Sequence, residues 1–170
     1  MTIELEGRAV LLGDDINTDY IISSSRKKET LDPDVLRHFL FETIDPALAG
    51  AIRHGDILVA GRNFGCGSAM EVAVTAVLAA GIRVVVAHSF ARTYYRNAIN
   101  NGLIPVECDT RGIAADARLH LRLDADGARI LDQTSGREIE GHPLPAFMLQ
   151  ILSEGGLVPY FRKHHDFVTL

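Results

Sequence analysis

Hydrophobic positions along this chain come in short dense runs separated by glycine-rich and polar turns. ArgAlaValLeuLeu at 8–12, DILVA at 56–60 and RVVVA at 83–87 read as strands, the last two apolar enough to be buried. Between them the spacing turns helical. DPDVLRHFLFE, from Asp32, puts Val35, Leu36, Phe39 and Leu40 on one face, with Pro33 acceptable at the first helical position. EVAVTAVLAA at 71–80 is a helix stopped by Gly81, and SFARTYYRNAINNG is a second, with Ser89 as N-cap and a stop at Asn101-Gly102. The middle of the chain is therefore strand, helix, strand, helix, strand, which predicts an α/β fold.

After Pro105 the texture changes. LHLRLDADGARILDQ alternates polar with apolar around Asp126-Gly127, a hairpin signal, and Gly136 marks another turn, so this part reads as an antiparallel attachment. A final helix is expected near Pro145 to Leu152, ending at Gly155-Gly156, and the tail FRKHHDFVTL reads as a surface segment or docking arm. There is no internal repeat, and residues 1–170 are expected to form one domain.

Composition narrows the partners. With 22 Asp plus Glu against 17 Lys plus Arg, no broad basic surface offers itself to nucleic acid or an anionic membrane. The start MTIELEGRAV lacks a signal-peptide pattern and no apolar run reaches spanning length, so a cytoplasmic protein is expected. Two cysteines, Cys66 and Cys108, are too few for a disulfide framework and show no metal-ligand spacing, so an iron-sulfur centre would need ligands from elsewhere.

The chemistry concentrates in GRNFGCGSAME at 61–71. Ser68-Ala-Met-Glu71 has the spacing of a capping box, and taken alone that is the commoner meaning. Yet three glycines in seven residues, directly after a buried strand, let amides converge on a helix start, which favours negative charge. The Walker pattern fails for want of a lysine, and the dinucleotide fingerprint fails because Met70 stands at its third glycine. A nucleophile elbow would read Gly-x-Ser-x-Gly, which this stretch does not. What remains is a serine oxygen beside amides that could stabilise it as an alkoxide, or stabilise a bound carboxylate.

GRNFGCGS, then SFARTYYRNAINNGLIPV, together with GDDINTDYII at 13–22, resemble the small subunit of 3-isopropylmalate dehydratase and so the swivelling domain of aconitase. The resemblance covers residues 8 to 107 well and the remainder in outline. It implies a swivelling β/β/α domain, a mixed sheet flanked by helices with an antiparallel C-terminal part. It implies a hydro-lyase active only with a large subunit in a heterodimer or heterotetramer. That partner binds a [4Fe-4S] cluster through its own cysteines, with no metal held by this chain. The substrate class is a small hydroxy-diacid, dehydrated and rehydrated stereospecifically. Ser68 matches the base that removes the proton alpha to a carboxylate, with neighbouring amides such as that of Gly67 supporting the alkoxide. Asp19 matches a residue orienting an acid or base of the large subunit, and the segment SSSRKKET at 23–30, with Arg26 and Lys27, matches a loop that reads the substrate's side group or second carboxylate.

The sequence departs from this pattern at one place. Relatives continue Gly-Ser-Ser-Arg-Glu-His, with an arginine for a substrate carboxylate, whereas here Met70 takes that position. Arg62, Arg92 and Arg26-Lys27-Lys28 are the nearest replacements; Arg92, a cation in a first helical turn, calls for a compensating anion. The departure keeps open a substituted-malate dehydratase of dimethylmalate, methylmalate or homoaconitate type, and a non-catalytic carboxylate-binding module. An autonomous serine hydrolase is a third reading. The acidic residues Asp14 and Asp15 read as turn formers, the histidines as surface or packing groups, and Cys66 as a small residue that fits between glycines.

Overall fold

The computed structural model describes residues 1–165. Seven strands form one sheet: β1 (Ile3–Leu11), β2 (Ile57–Ala60), β3 (Val84–Ala87), β4 (Ile104–Glu107), β5 (Arg118–Asp124), β6 (Gly127–Asp132) and β7 (Arg137–Gly141), in the order β4-β3-β2-β1-β5-β6-β7. The strands β1 to β4 run parallel, and β5 to β7 continue antiparallel from the other side of β1. The sheet curls until its edges meet. Cys108 bridges to Gly141, and the His142 amide donates to the Glu107 carbonyl at 2.8 Å, so neither edge stays open there.

The two textures of the sequence follow from burial. Ile57, Val59, Val84 and Val86 belong to one core cluster, while Leu58, Ala60, Val85 and Ala87 belong to the other. Strands covered on both faces read as unbroken apolar runs. In β5 only Leu119, Leu121 and Leu123 are buried and Arg118 and Arg122 are exposed, which gives the alternation.

The helices are α1 (Thr18–Ile21), α2 (Ser24–Glu29), α3 (Pro33–Leu36) and α4 (Leu48–Ala51), then α5 (Val72–Ala79), α6 (Arg92–Asn101), α7 (Ala146–Ser153) and α8 (Leu157–His164). The expected helix from Asp32 is shorter than its pattern. Asp32 caps it and Pro33 opens it, but a 3-10 turn, Arg37–Phe39, follows, and Val35 is 43% exposed while Leu36 and Leu40 are fully buried. Beyond the expected final helix the chain folds again into α8, whose Tyr160 is fully buried. Phe161–His164 are thus helical rather than a free arm, and residues 166–170 of the tail lie outside the described residues.

Candidate functional site

In a parallel sheet the loops at the strand carboxyl ends face one edge, where ligands of open α/β folds bind. Here those loops are 12–17 after β1, 61–71 after β2 and 88–91 after β3. They are not loose. The Asp15 amide donates to Arg62 O, Gly65 to Ile16 O and Thr18 to Cys66 O, each at 2.8 Å, so pairing between the first two strands continues irregularly past their ends. On the other side His88 N donates to Gly61 O, Phe64 N to Ser89 O and Ala91 N to Phe64 O, at 2.9 to 3.0 Å. The stretch 61–68 is clamped between two neighbours.

Two glycines make that path possible. Gly65 (φ +79°) lies against the Tyr94 ring and Gly67 (φ +92°) against the Asn17 side chain, so a Cβ at either would collide as well as strain the backbone. Phe64 anchors the loop from below, with edge-on contacts to Tyr94 and Phe90 at centroid distances of 5.1 and 5.9 Å.

This clamping overturns both capping expectations. The helix α5 begins at Val72, its cap residue is Glu71, and no side chain caps it. The first helical bonds run from Ala73 N to Met70 O and from Val74 N to Glu71 O. Ser68 lies outside the helix because its carbonyl is claimed by the buried Thr18 Oγ1 at 2.7 Å. Ser89, likewise, does not cap α6, whose cap residue is Ala91; its Oγ accepts from the Asn63 amide at 2.9 Å and ties the glycine loop to β3.

Freed from capping, Ser68 is exposed, and its hydroxyl bonds to no group among the described residues. The flanking amides of Gly67 and Ala69 likewise donate to nothing among the described residues. An open hydroxyl between open amides is an arrangement that can stabilise an anion.

Asp19 comes next to this loop. Asn17 caps α1 by accepting from the Asp19 amide at 2.9 Å, and Ser24 Oγ donates to Asp19 Oδ1. One turn of chain thus carries Asn17 against Gly67, Thr18 under Ser68, and Asp19 beside them. Thr18, Asn17 and Ser24 are residues beside this loop that the sequence does not single out; the Asn-Thr-Asp triplet, an N-cap followed by its first turn, is the available signal.

The remaining candidates part ways. Arg26 is partly buried, with its Nε 3.0 Å from Glu42 Oε1 and its guanidinium 3.8 Å over the Phe39 ring. Lys27 is exposed and makes no ion pair among the described residues, and the same holds for Arg92 at the start of α6. Arg62 holds Asp14, through its amide at 2.7 Å and its guanidinium at 3.4 Å, beside a hollow of about 240 Å³ also lined by His88, Thr110 and Arg111. The Arg62 amide, then its charge and that of His88, keep the Asp14 carboxyl below its usual pKa. Cys66 has its thiol pKa pushed up by burial and by Asp15, so it is not poised as a nucleophile. Met70 is 3% exposed and packs in the core, so it presents nothing to a substrate.

Among the described residues no group of three or more His, Cys, Asp or Glu side chains could hold a metal ion. Cys108 is buried, its thiol pushed up to about 12 by burial first, and Cys66 stands alone. These residues do not fit an iron-sulfur cluster. No helix among the described residues is long and apolar enough to cross a membrane.

A curled mixed sheet with an anchored glycine loop at its parallel edge defines an aconitase-type swivelling domain, and residues 42–111 match the Aconitase C-terminal domain family. The similarity extends over the chain. It is 42% identical over 159 residues to the 3-isopropylmalate dehydratase small subunit of Moorella thermoacetica, covering 94% of this chain and 95% of that one. It is 46% identical over 165 residues to the protein of the same name from Oleidesulfovibrio alaskensis, covering 95% and 96%. A crystal structure of 3-isopropylmalate dehydratase from Methanocaldococcus jannaschii superposes with a TM-score of 0.88 at 39% identity, covering 96% of each chain. The chain belongs to the 3-isopropylmalate dehydratase small-subunit family.

Proposed function

We propose that this chain is the small subunit of a hydro-lyase that interconverts 2- and 3-isopropylmalate by dehydration and rehydration, working only with a large iron-sulfur subunit. Family membership supports the reaction class, and the observation that carries the site is Ser68: an exposed hydroxyl between the amides of Gly67 and Ala69, all three without a partner among the described residues. In this reading Ser68 takes the proton alpha to a substrate carboxylate. The carbon–hydrogen electrons become the new double bond as the hydroxyl on the neighbouring carbon takes up a proton and leaves as water, and rehydration places a hydroxyl on the carbon that lost the proton and a proton on the carbon that lost the hydroxyl.

An ordinary serine hydroxyl is far too weak an acid for this, so the site must supply positive potential in a water-poor space. The Gly67 and Ala69 amides supply the first. The second needs a partner, because Ser68 is open to solvent in this chain. Asp19, fixed by Asn17 and Ser24, orients an acid or base contributed across the interface. The substrate carboxylates go to Arg92 and Lys27, two candidate cations that pair with no carboxylate among the described residues, while Met70 offers none. The cluster belongs to the partner, where it would supply Lewis-acid chemistry; this chain's part is the base, its amides and its cations.

The test is co-expression with the large subunit, anaerobic reconstitution of iron, and turnover of 2-isopropylmalate beside dimethylmalate, methylmalate and homoaconitate. The expected result is turnover fastest with isopropylmalate and none from either subunit alone. Turnover only of another diacid would move the assignment to a substituted-malate dehydratase, the reading favoured by the missing cation at position 70.

A further inference from the structure

The helix α2 has six residues, none of them buried, and a helix so short has little stability of its own. Its place comes from two sets of contacts. Glu42, which follows the 3-10 turn, receives Arg26 Nε at 3.0 and 3.3 Å, Arg26 Nη2 at 3.1 Å and, from the N-cap, Ser23 Oγ at 3.1 Å. The guanidinium rests on Phe39, and Glu29 lies 3.6 Å from its remaining nitrogen. Beside these contacts, at the same N-terminal end of the helix, Ser24 Oγ donates to the Asp19 carboxylate. A continuous path runs from Glu42 through Arg26 and Ser23 to Ser24, then to Asp19 and, through Thr18, to the Ser68 carbonyl.

We propose that Glu42 is a positioning residue of the active site: it fixes α2 so that Ser24 holds Asp19 in its working orientation, and Arg26 serves as the strut rather than as a substrate ligand. The proposal rests on the functional reading above for the role of Asp19. Arg26 has its donors turned to two carboxylates and its face on an aromatic ring, so little of it is left for a third anion. The exposed ammonium groups of Lys27 and Lys28 make no ion pair among the described residues.

Two readouts test this. In the full chain, brief trypsin treatment reports opening of α2 through cleavage after Arg26, Lys27 and Lys28. Glu42→Ala and the isosteric Glu42→Gln should each speed those cuts about fivefold, as loss of a good partly buried ion pair does, with cuts elsewhere unchanged. In the reconstituted complex Glu42→Ala and Ser24→Ala should each lower kcat about tenfold, a typical cost of misplaced groups, with KM within about twofold. The double variant should be no slower than Ser24→Ala, because both act on one carboxylate. Unchanged cleavage in both Glu42 variants, or multiplicative losses of kcat in the double variant, would overturn the proposal. If the wild-type complex turns over no diacid, the functional reading fails, while the trypsin result still decides whether Glu42 holds α2.

Discussion

Gly65 shows how tightly single residues are specified at the parallel edge of the sheet. Its φ of +79° and its contact with the Tyr94 ring leave no place for a methyl group. Gly65→Ala should destabilise the chain by about 2–4 kcal/mol, combining left-handed strain with a clash against a fully packed aromatic. Urea denaturation of the two proteins measures this directly, and equal midpoints would show that the loop has slack the structure denies it. At this scale the sequence was legible in kind and misleading in detail. The glycines announced a special turn, but Ser68 and Glu71 formed a plausible local capping pair. The real partner of Ser68 is Thr18, 50 positions away in the chain, and no local spacing can reveal it. The burial of Met70, which lies just before α5 and accepts from the Ala73 amide, was equally invisible.

Elements were readable in proportion to how much of their stability is local or periodic. The buried runs of β2 and β3, the helix α6 with its left-handed Gly102 stop, and the β5–β6 hairpin all lie where their patterns put them. The short helices between Thr18 and Ala51 were not legible beyond Asp32, because each is about one turn long and is held by contacts from elsewhere. The helix α2 depends on charge, which makes it sensitive to acid. Hydrogen bonds from Arg26, chiefly, hold the Glu42 carboxyl below its ordinary value of 4.5, and the same pair raises Arg26. A depressed carboxylate stabilises the fold above its unfolded value and loses that contribution as pH falls through its folded value. The amide resonances of α2 should therefore stay constant from pH 7 to 5 and move together below 4.5, as Glu42 protonates. A transition of these amides near pH 6 instead would point to a histidine and contradict the assignment.

At the scale of the whole molecule, the curled sheet brings three loops to one edge and leaves the Ser68 hydroxyl exposed there. In the proposed reading a second chain excludes solvent from this surface, and Lys27, Arg92 and the Gly67 and Ala69 amides, which have no partner among the described residues, meet the diacid. The resemblance in sequence suggested the division of labour proposed above, while the contacts of Asn17, Thr18 and Ser24 around this edge are visible only in three dimensions. The most direct measurement is single-turnover dehydration by the reconstituted complex carrying Ser68→Ala, with substrate affinity determined alongside. A base contributes on the order of a hundred- to ten-thousand-fold, so the rate should fall about a thousandfold while the dissociation constant for the diacid changes little. A variant that dehydrates its substrate at the wild-type rate would contradict the role given to Ser68.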